Sequence, residues 1–452
     1  MKSNTQKALF LFLLTLFIAS CKPDSTVITP VTPTPEVLSA DVAVKWGDMG
    51  VFIAKNTFGN TPTYASRGFG YIGLTMYEAV VNSSTTYQSL GGQVNGLSAL
   101  PKPETGKTYN WILALNAAQS SIIKNIYEQT TDQNKAKIDS LEKNILTSAT
   151  TAQDVNDRSV AFGQSIATAI FEWSKTDNGY QGYKYNFDSN FQFPSGPGYW
   201  KPPVKGQSPS RYPLHPYWGK NRTFSVANSA LPVPVMIPYS NDSKSQYYAQ
   251  FLEVYAKNNI LTQEEKEIAN WWGDDPSQTF PPPAHSYNIA TIVIKSAKPD
   301  LMKAAATYAH VGMATADAFI CCWKCKYTYS AERPASFVNA NIDPTWVQYW
   351  PEPPFPSFMS GHAIQGSATA TVLTNLYGDS FSFIDNSHEG RARDTIHNVD
   401  YKNRVFNSFQ EAADESAYSR FLGGIHTRQD NDTGLVEGRK VGQNIIALKW
   451  VK

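Results

Sequence analysis

From Asp41 to the C-terminus, apolar residues recur at helical rather than strand spacing, and this narrows the possible folds more than any other feature of the chain. Residues 65–81, 111–127, 135–146, 155–173 and 245–256 each carry such a face. In the second of these, Leu113, Ala117 and Ile122 line up. Thr262-x-x-Glu265 is a capping box that opens a further helix. Residues 300–325 are Ala-rich, with Leu301, Ala305, Tyr308, Gly312 and Phe319, and predict one more helix. Strand-like alternation is scarce, so the predicted fold class is all-α.

One region breaks the pattern. Residues 178–239 hold Tyr199, Trp200, Pro202, Pro203, Tyr212, Pro213, Pro216, Tyr217 and Trp218 without periodicity. A stretch this long inside a compact domain is unusual and often functional. Here it reads first as an arm wrapping aromatic rings over the helices, and second as a carbohydrate platform.

The N-terminus reads as an export and anchoring device. Lys2 and Lys7 flank the start of an apolar run over residues 8–19, too short to span a bilayer. Ile18-Ala19-Ser20-Cys21 resembles the bacterial lipobox, which implies cleavage before Cys21 and lipidation of its thiol. Lys22 is not the aspartate of inner-membrane retention, so the expected address is the periplasm or outer membrane of a bacterium. Residues 21–40, rich in Pro, Thr and Val, read as an extended tether. The expected organisation is a signal peptide over 1–20, a tether over 21–40 and one helical domain over 41–452. That domain divides into N-terminal helices (41–177), the aromatic arm (178–244) and a catalytic bundle (245–452).

Charge excludes one class of partner. The chain has 39 Lys+Arg against 38 Asp+Glu; removing Lys2 and Lys7 with residues 1–20 leaves 37 against 38, or −1. A nucleic-acid binder would show a basic excess. Nothing in the sequence sets an oligomeric state.

The chemistry concentrates in three clusters. The first is Lys326-x6-Arg333-Pro334, the second Pro356-Ser357-x-x-Ser360-Gly361-His362, the third Ser419-Arg420-x5-His426-x3-Asp430. Each alone is an ordinary surface or turn pattern. Together they supply three cations, a hydroxyl beside a glycine, two histidines and a carboxylate. Three cations in one pocket require a multiply charged anion. Arginine grips an oxyanion through two parallel N–H donors. Ser360 and Gly361 stand where a helix would begin, adding backbone N–H groups and the positive end of its dipole. Two histidines divide into one that bonds the central atom and one that moves protons. Asp430, four residues after His426, falls on the same helical face and would orient that ring.

In this order and spacing the clusters resemble the signature of the superfamily that unites vanadium-dependent haloperoxidases with type 2 phosphatidic acid phosphatases and bacterial acid phosphatases. The resemblance implies two packed helical bundles. It implies that Lys326, Arg333, Ser360, Gly361 and Arg420 hold the oxygens of vanadate, with phosphate able to occupy the same place. It makes His426 the ligand to vanadium, or the nucleophile toward phosphorus, and His362 the acid–base residue. Lys326 would also act on bound peroxide. Trp323, three residues before Lys326, and Phe355, seven before His362, match aromatic residues of chloroperoxidase-like and bacterial iodoperoxidase-like members. The run from Ala316 to Lys326, Pro353-Pro354-Phe355-Pro356-Ser357, Trp200-x-Pro and Pro216-Tyr217-Trp218-Gly219 also look like that branch. Ala269-Asn270-Trp271-Trp272-Gly273-Asp274 resembles a helix whose aspartate, assigned to Asp274 with the adjacent Asp275 as the alternative, touches a site arginine.

The implied activity is vanadate-dependent oxidation of halide by hydrogen peroxide, iodide first and bromide second. An acid phosphatase on the same scaffold is the second reading, and a glycan-binding surface lipoprotein the third.

Among the remaining candidates, His285 reads as structural, close to the pocket. His310 reads as a satisfied core or surface residue, and Asp317 as a buried hydrogen-bonded one. His215, His388 and His397 lie in polar, loop-like contexts and receive no role. Cys321, Cys322 and Cys325 fall within little more than one helical turn, face different ways and lack a fourth partner, so they read as buried thiols rather than a metal or disulfide set.

Overall fold

The computed structural model describes residues 33–203, 206–274 and 279–452. The signal segment, Cys21 and most of the expected tether lie outside the described residues. Among those described there are 14 α-helices and one two-stranded antiparallel ribbon, Phe383–Asp385 with Arg404–Phe406. No helix among them is long and apolar enough to cross a membrane.

Ten of these helices fall into two groups. Asp41–Asn56, Pro62–Val81, Trp111–Ile126, Asp132–Ala149 and Gln153–Ser174 pack together. Pro282–Ala297, Leu301–Tyr329, Gly361–Tyr377, Phe409–Leu422 and Arg428–Ile446 form the second group. The most extensive helix contact, Pro62–Val81 against Leu301–Tyr329, joins the two. Leu301–Tyr329 is capped by the Asp300 side chain and buried on nearly every face, which explains its Ala-rich, all-round apolar sequence.

Two backbone approaches set the frame. A Cβ on Gly73 would lie 2.4 Å from the Tyr308 carbonyl oxygen, and one on Gly312 would lie 2.3 Å from that of Phe69. Glycine is required there because the two helices cross backbone to backbone. Gly434, Gly438 and Gly442 form a stripe that lets Arg428–Ile446 lie directly on Gly361–Tyr377. That seam brings the start of one helix beside the start of the other.

The segment 33–40, expected as the end of a tether, is instead part of the body. Pro35 and Ala40 are buried, Glu36 accepts from the backbone of Thr85 at 2.9 Å, and Leu301 N–H donates to Leu38 at 2.8 Å. The Pro-rich composition that reads as a solvated spacer here serves a short 3-10 turn docked on the long helix.

The arm wraps, as expected. Trp200, Leu214, Trp218 and Phe224 are buried. Asp317 anchors it by accepting from the N–H groups of Phe224 and Ser225 and from Asn228, and burial pushes the Asp317 carboxyl up to about 7. His215 departs from its loop-like reading. It is buried, bonded to the Gly182 carbonyl at 2.9 Å and stacked on Trp218. Of the core and surface readings of His310, the structure takes the core: it is buried, its Nδ1–H donating to Ala306 at 2.8 Å. Cys321, Cys322 and Cys325 are free thiols, and burial pushes Cys322 up to about 11.

Candidate active site

Five helix ends meet at or beside one cavity of about 540 Å³. Lys326 lies in the last turn of Leu301–Tyr329, and Arg333 is the residue that precedes Pro334–Asn341. Ser360 caps Gly361–Tyr377, its hydroxyl accepting from Ala363 N–H. Arg420 lies in the last turn of Phe409–Leu422, and His426 immediately precedes Thr427, the cap of Arg428–Ile446. Gly361, His362, Arg420 and His426 line the cavity on one side. Phe319, Trp323 and Phe355 line it as well. The three sequence clusters, spread over residues 326–430, are thus one site.

The cations are buried and held by carbonyls. Lys326 and Arg333 are 0% exposed. Lys326 Nζ donates to Pro356 O at 2.9 Å and Ser357 O at 2.6 Å. Arg333 donates to Phe355 O at 3.0 Å, Pro356 O at 3.3 Å and Ile425 O at 2.8 Å. Arg420 donates to Trp272 O at 2.9 Å. Phe355 lies under both Lys326 and Arg333, 5.2 and 5.1 Å from the charged groups, and packs against Trp323. Carbonyl dipoles position these side chains without cancelling their charge. Burial, reinforced by neighbouring guanidinium charge, pushes Lys326 down to about 8 and Arg333 to about 10. The pocket therefore favours a bound anion.

Two further observations fit an oxyanion. A Cβ on Gly361 would have only Trp323 nearby, at 4.0 Å. No protein atom demands glycine there; the open space faces the cavity at a helix start whose N–H groups have no intrahelical partner. His426 is set for one tautomer. Its Nδ1 lies 2.7 Å from Asp430 Oδ2, so Nδ1–H donates to the carboxylate and Nε2 keeps its lone pair, 3.3 Å from an Arg333 N–H. Burial and the charges of Arg333, Lys326 and Arg420 hold the His426 pKa well below its ordinary value.

Asp430 reaches the ring by a route that helical spacing does not give. His426 stands outside the helix, and Asp430 is the third residue of a capping box with Thr427. The Ser357 hydroxyl donates to the same carboxylate oxygen at 2.5 Å. Ser357 lay in the second cluster without an assigned role.

Behind His362 stands a group that the sequence left unassembled. Asp274 Oδ2 is 3.6 Å from His362 Nε2. Asp274 Oδ1 is 2.9 Å from His285 Nδ1 and 3.4 Å from His388 Nε2. The partners of Asp274 here are imidazoles; its neighbour Asp275, the other candidate for touching a site arginine, lies outside the described residues. His285 Nε2 is 2.9 Å from Asp385. Burial opposes charge on His285, but Asp274 and Asp385 outweigh it and push the imidazole up to about 10. His362 is pushed down to about 4 by burial and by Arg420. His388, given no role, is buried between the rings of Phe280 and Trp271. Asp385 and His388 come from the ribbon and its following turn, about a hundred residues from His285, and no local spacing links them. His397 bonds Asp394 at 2.7 Å within its own loop.

Comparison with known proteins agrees with this architecture. The family model described as VCPO second helical-bundle domain matches residues 306–449. The structure of the first bacterial vanadium-dependent iodoperoxidase shares 32% sequence identity with a TM-score of 0.77, covering 92% of this chain and 98% of that one. Apo and holo structures of a bacterial vanadium-dependent chloroperoxidase, each 16% identical, have TM-scores of 0.62 and 0.61. They cover 92% of this chain and 95% and 93% of theirs; at that identity the likeness is one of fold. No curated protein matches the chain. The chain belongs to the vanadium-dependent haloperoxidase family.

Proposed function

We propose that this protein is a vanadate-dependent haloperoxidase that uses hydrogen peroxide to oxidise halide to hypohalous acid, with iodide the preferred halide. The observation that carries the reading is that Arg420, the open Gly361 backbone and His426 line one cavity, with Arg333 3.3 Å from the Nε2 lone pair of His426 and Lys326 buried over the lining ring of Phe355. Kinship with an iodoperoxidase at 32% identity supports it, and iodide is the easiest of the three common halides to oxidise.

Vanadate would be held at its oxygens by Lys326, Arg333, Ser360, Gly361 N–H and Arg420, and at vanadium by His426 Nε2. When bound it supplies Lewis acidity toward peroxide without changing oxidation state. The remaining work falls to the chain. Asp430 and Ser357 fix the His426 tautomer. The neutral ring of His362 accepts a proton from incoming peroxide, and Asp274, 3.6 Å from Nε2, stabilises the resulting imidazolium. Lys326 places a positive charge where developing negative charge needs it. Trp323 and Phe355 keep one wall apolar and limit water around the halide.

Steady-state rates with iodide, bromide and chloride on the vanadate-loaded protein test the halide order, and iodide should be fastest. His362→Ala should retain the anion and lose turnover; unchanged turnover removes His362 from the mechanism. Phosphate fits the same cradle, so phosphoester hydrolysis with His426 Nε2 as nucleophile is the second reading. Export and anchoring through Cys21 belong to the same proposal. Detergent-phase partitioning of the cell-expressed protein should be lost in Cys21→Ser.

A further inference from the structure

The strongest group outside the anion cradle is the buried set behind His362. We propose that Asp274, His285 and His388 bind a divalent transition ion of the zinc class.

Three observations lead there. First, the donor atoms converge. Asp274 Oδ1 is 2.9 Å from His285 Nδ1 and 3.4 Å from His388 Nε2, and one donor from each residue lies within 4.8 Å of the other two. Zinc bonds of about 2.0–2.1 Å in tetrahedral geometry place ligand atoms about 3.3 Å apart; the two Asp274 separations lie within about half an ångström of that, and the two imidazoles must close from a separation of at most 4.8 Å. Second, His388 Nε2 makes no well-formed hydrogen bond among the described residues, only the long 3.4 Å contact with Asp274 Oδ1, although the residue is 3% exposed. Phe280 and Trp271 hold its ring in that orientation. A proton between Asp274 and His285 would satisfy those two and leave His388 with only that long contact; a metal uses all three. Third, an outer shell is built. His285 turns its other nitrogen to Asp385 at 2.9 Å, and Asp385 accepts from Trp271 Nε1 at 2.8 Å and from Ser387. A metal-bound imidazole whose second N–H donates to an anchored carboxylate is the recurrent second layer of such sites.

Two imidazoles and one carboxylate suit zinc and its neighbours rather than calcium or magnesium, which want oxygen ligands. Binding displaces the Nδ1 proton of His285 to solvent and leaves Nε2–H on Asp385. Asp274 then bridges the sites, Oδ1 on the ion and Oδ2 toward His362. The ion thereby stiffens the carboxylate that faces the proposed acid–base residue.

The test measures metal, not turnover, so its failure and that of the haloperoxidase reading are separable. Vanadate-loaded full-length protein is incubated with zinc, desalted and analysed for metal. The expected result is a single zinc per chain, kept after vanadate is exchanged for phosphate and kept in His426→Ala. His388→Ala, His388→Gln and Asp274→Asn should lose it while retaining native circular dichroism. A wild type that takes up no zinc overturns the proposal. So does zinc retained in both folded His388 variants. Should those variants fail to fold, X-ray absorption of the zinc-loaded wild type decides. A first shell of two imidazoles and a carboxylate is expected, and a sulfur-containing or oxygen-only shell overturns the site.

Discussion

His426 Nδ1 lies 2.7 Å from Asp430 Oδ2, and that contact decides which face of the imidazole is left for chemistry. With the Nδ1 proton held, Nε2 presents a lone pair to the cavity. Asp430→Asn can offer an N–H to Nδ1 and so reverse the tautomer. Vanadate affinity, measured by equilibrium dialysis, should fall about 10–100-fold, the usual cost of losing an outer-shell partner. The same change weakens a helix cap, at about 1 kcal/mol in denaturant unfolding. Unaltered affinity would show that another group sets the tautomer.

Gly361 and Gly312 should respond oppositely to alanine. A Cβ at Gly361 meets open space toward the cavity, with its nearest protein atom at 4.0 Å. Gly361→Ala should leave unfolding free energy within about 0.5 kcal/mol. It should weaken vanadate or phosphate binding about tenfold or more. A Cβ at Gly312 lies 2.3 Å from a backbone oxygen of the crossing helix. Gly312→Ala should destabilise by about 3 kcal/mol or more. Calorimetry and anion titration on both variants check the split.

Lys326 gives anion binding a pH edge. In the anion-free site burial pushes it down to about 8. Below that value it is charged; as pH rises through it, the free protein loses a positive charge that the anion must restore. Phosphate affinity should therefore fall by up to about tenfold per pH unit above this point, beyond the change due to phosphate's own ionisation. Titration calorimetry over a pH series should show this extra slope in the wild type and not in Lys326→Met. Equal slopes would remove the lysine from the cradle.

His310 should make the fold acid-sensitive over a defined window. Burial pushes it down to about 4, and its ring stacks on Trp450 at 3.5 Å. Between about 6.5 and 4 the unfolded chain takes up a proton that the native ring refuses, so this contribution shrinks as pH falls. The full difference is about 3 kcal/mol. His310→Gln should lose that part of the slope in denaturant titrations at several pH values.

The residues at the floor of the site were readable because their spacing is local to helix ends. Ser360-Gly361 announces a helix start, and the long helix before Lys326 announces itself by its apolar periodicity. Asp430 was found through an i,i+4 argument, yet its contact arises from a capping box with His426 outside the helix. A single spacing serves both geometries. Asp385 and His388 were invisible because a short ribbon, with only three residues in each strand, delivers them to His285. The docked 33–40 segment was missed because Pro-rich composition reports backbone preference, not what the backbone packs against.

The most direct measurement strips phosphate from the protein, titrates in vanadate and follows peroxide-dependent triiodide formation, with hydrolysis of a phosphate ester followed in parallel. The expected result is triiodide formation that saturates with stoichiometric vanadate and disappears in His426→Ala. Ester hydrolysis inhibited by vanadate, with no oxidation of iodide at any vanadate concentration, would contradict it.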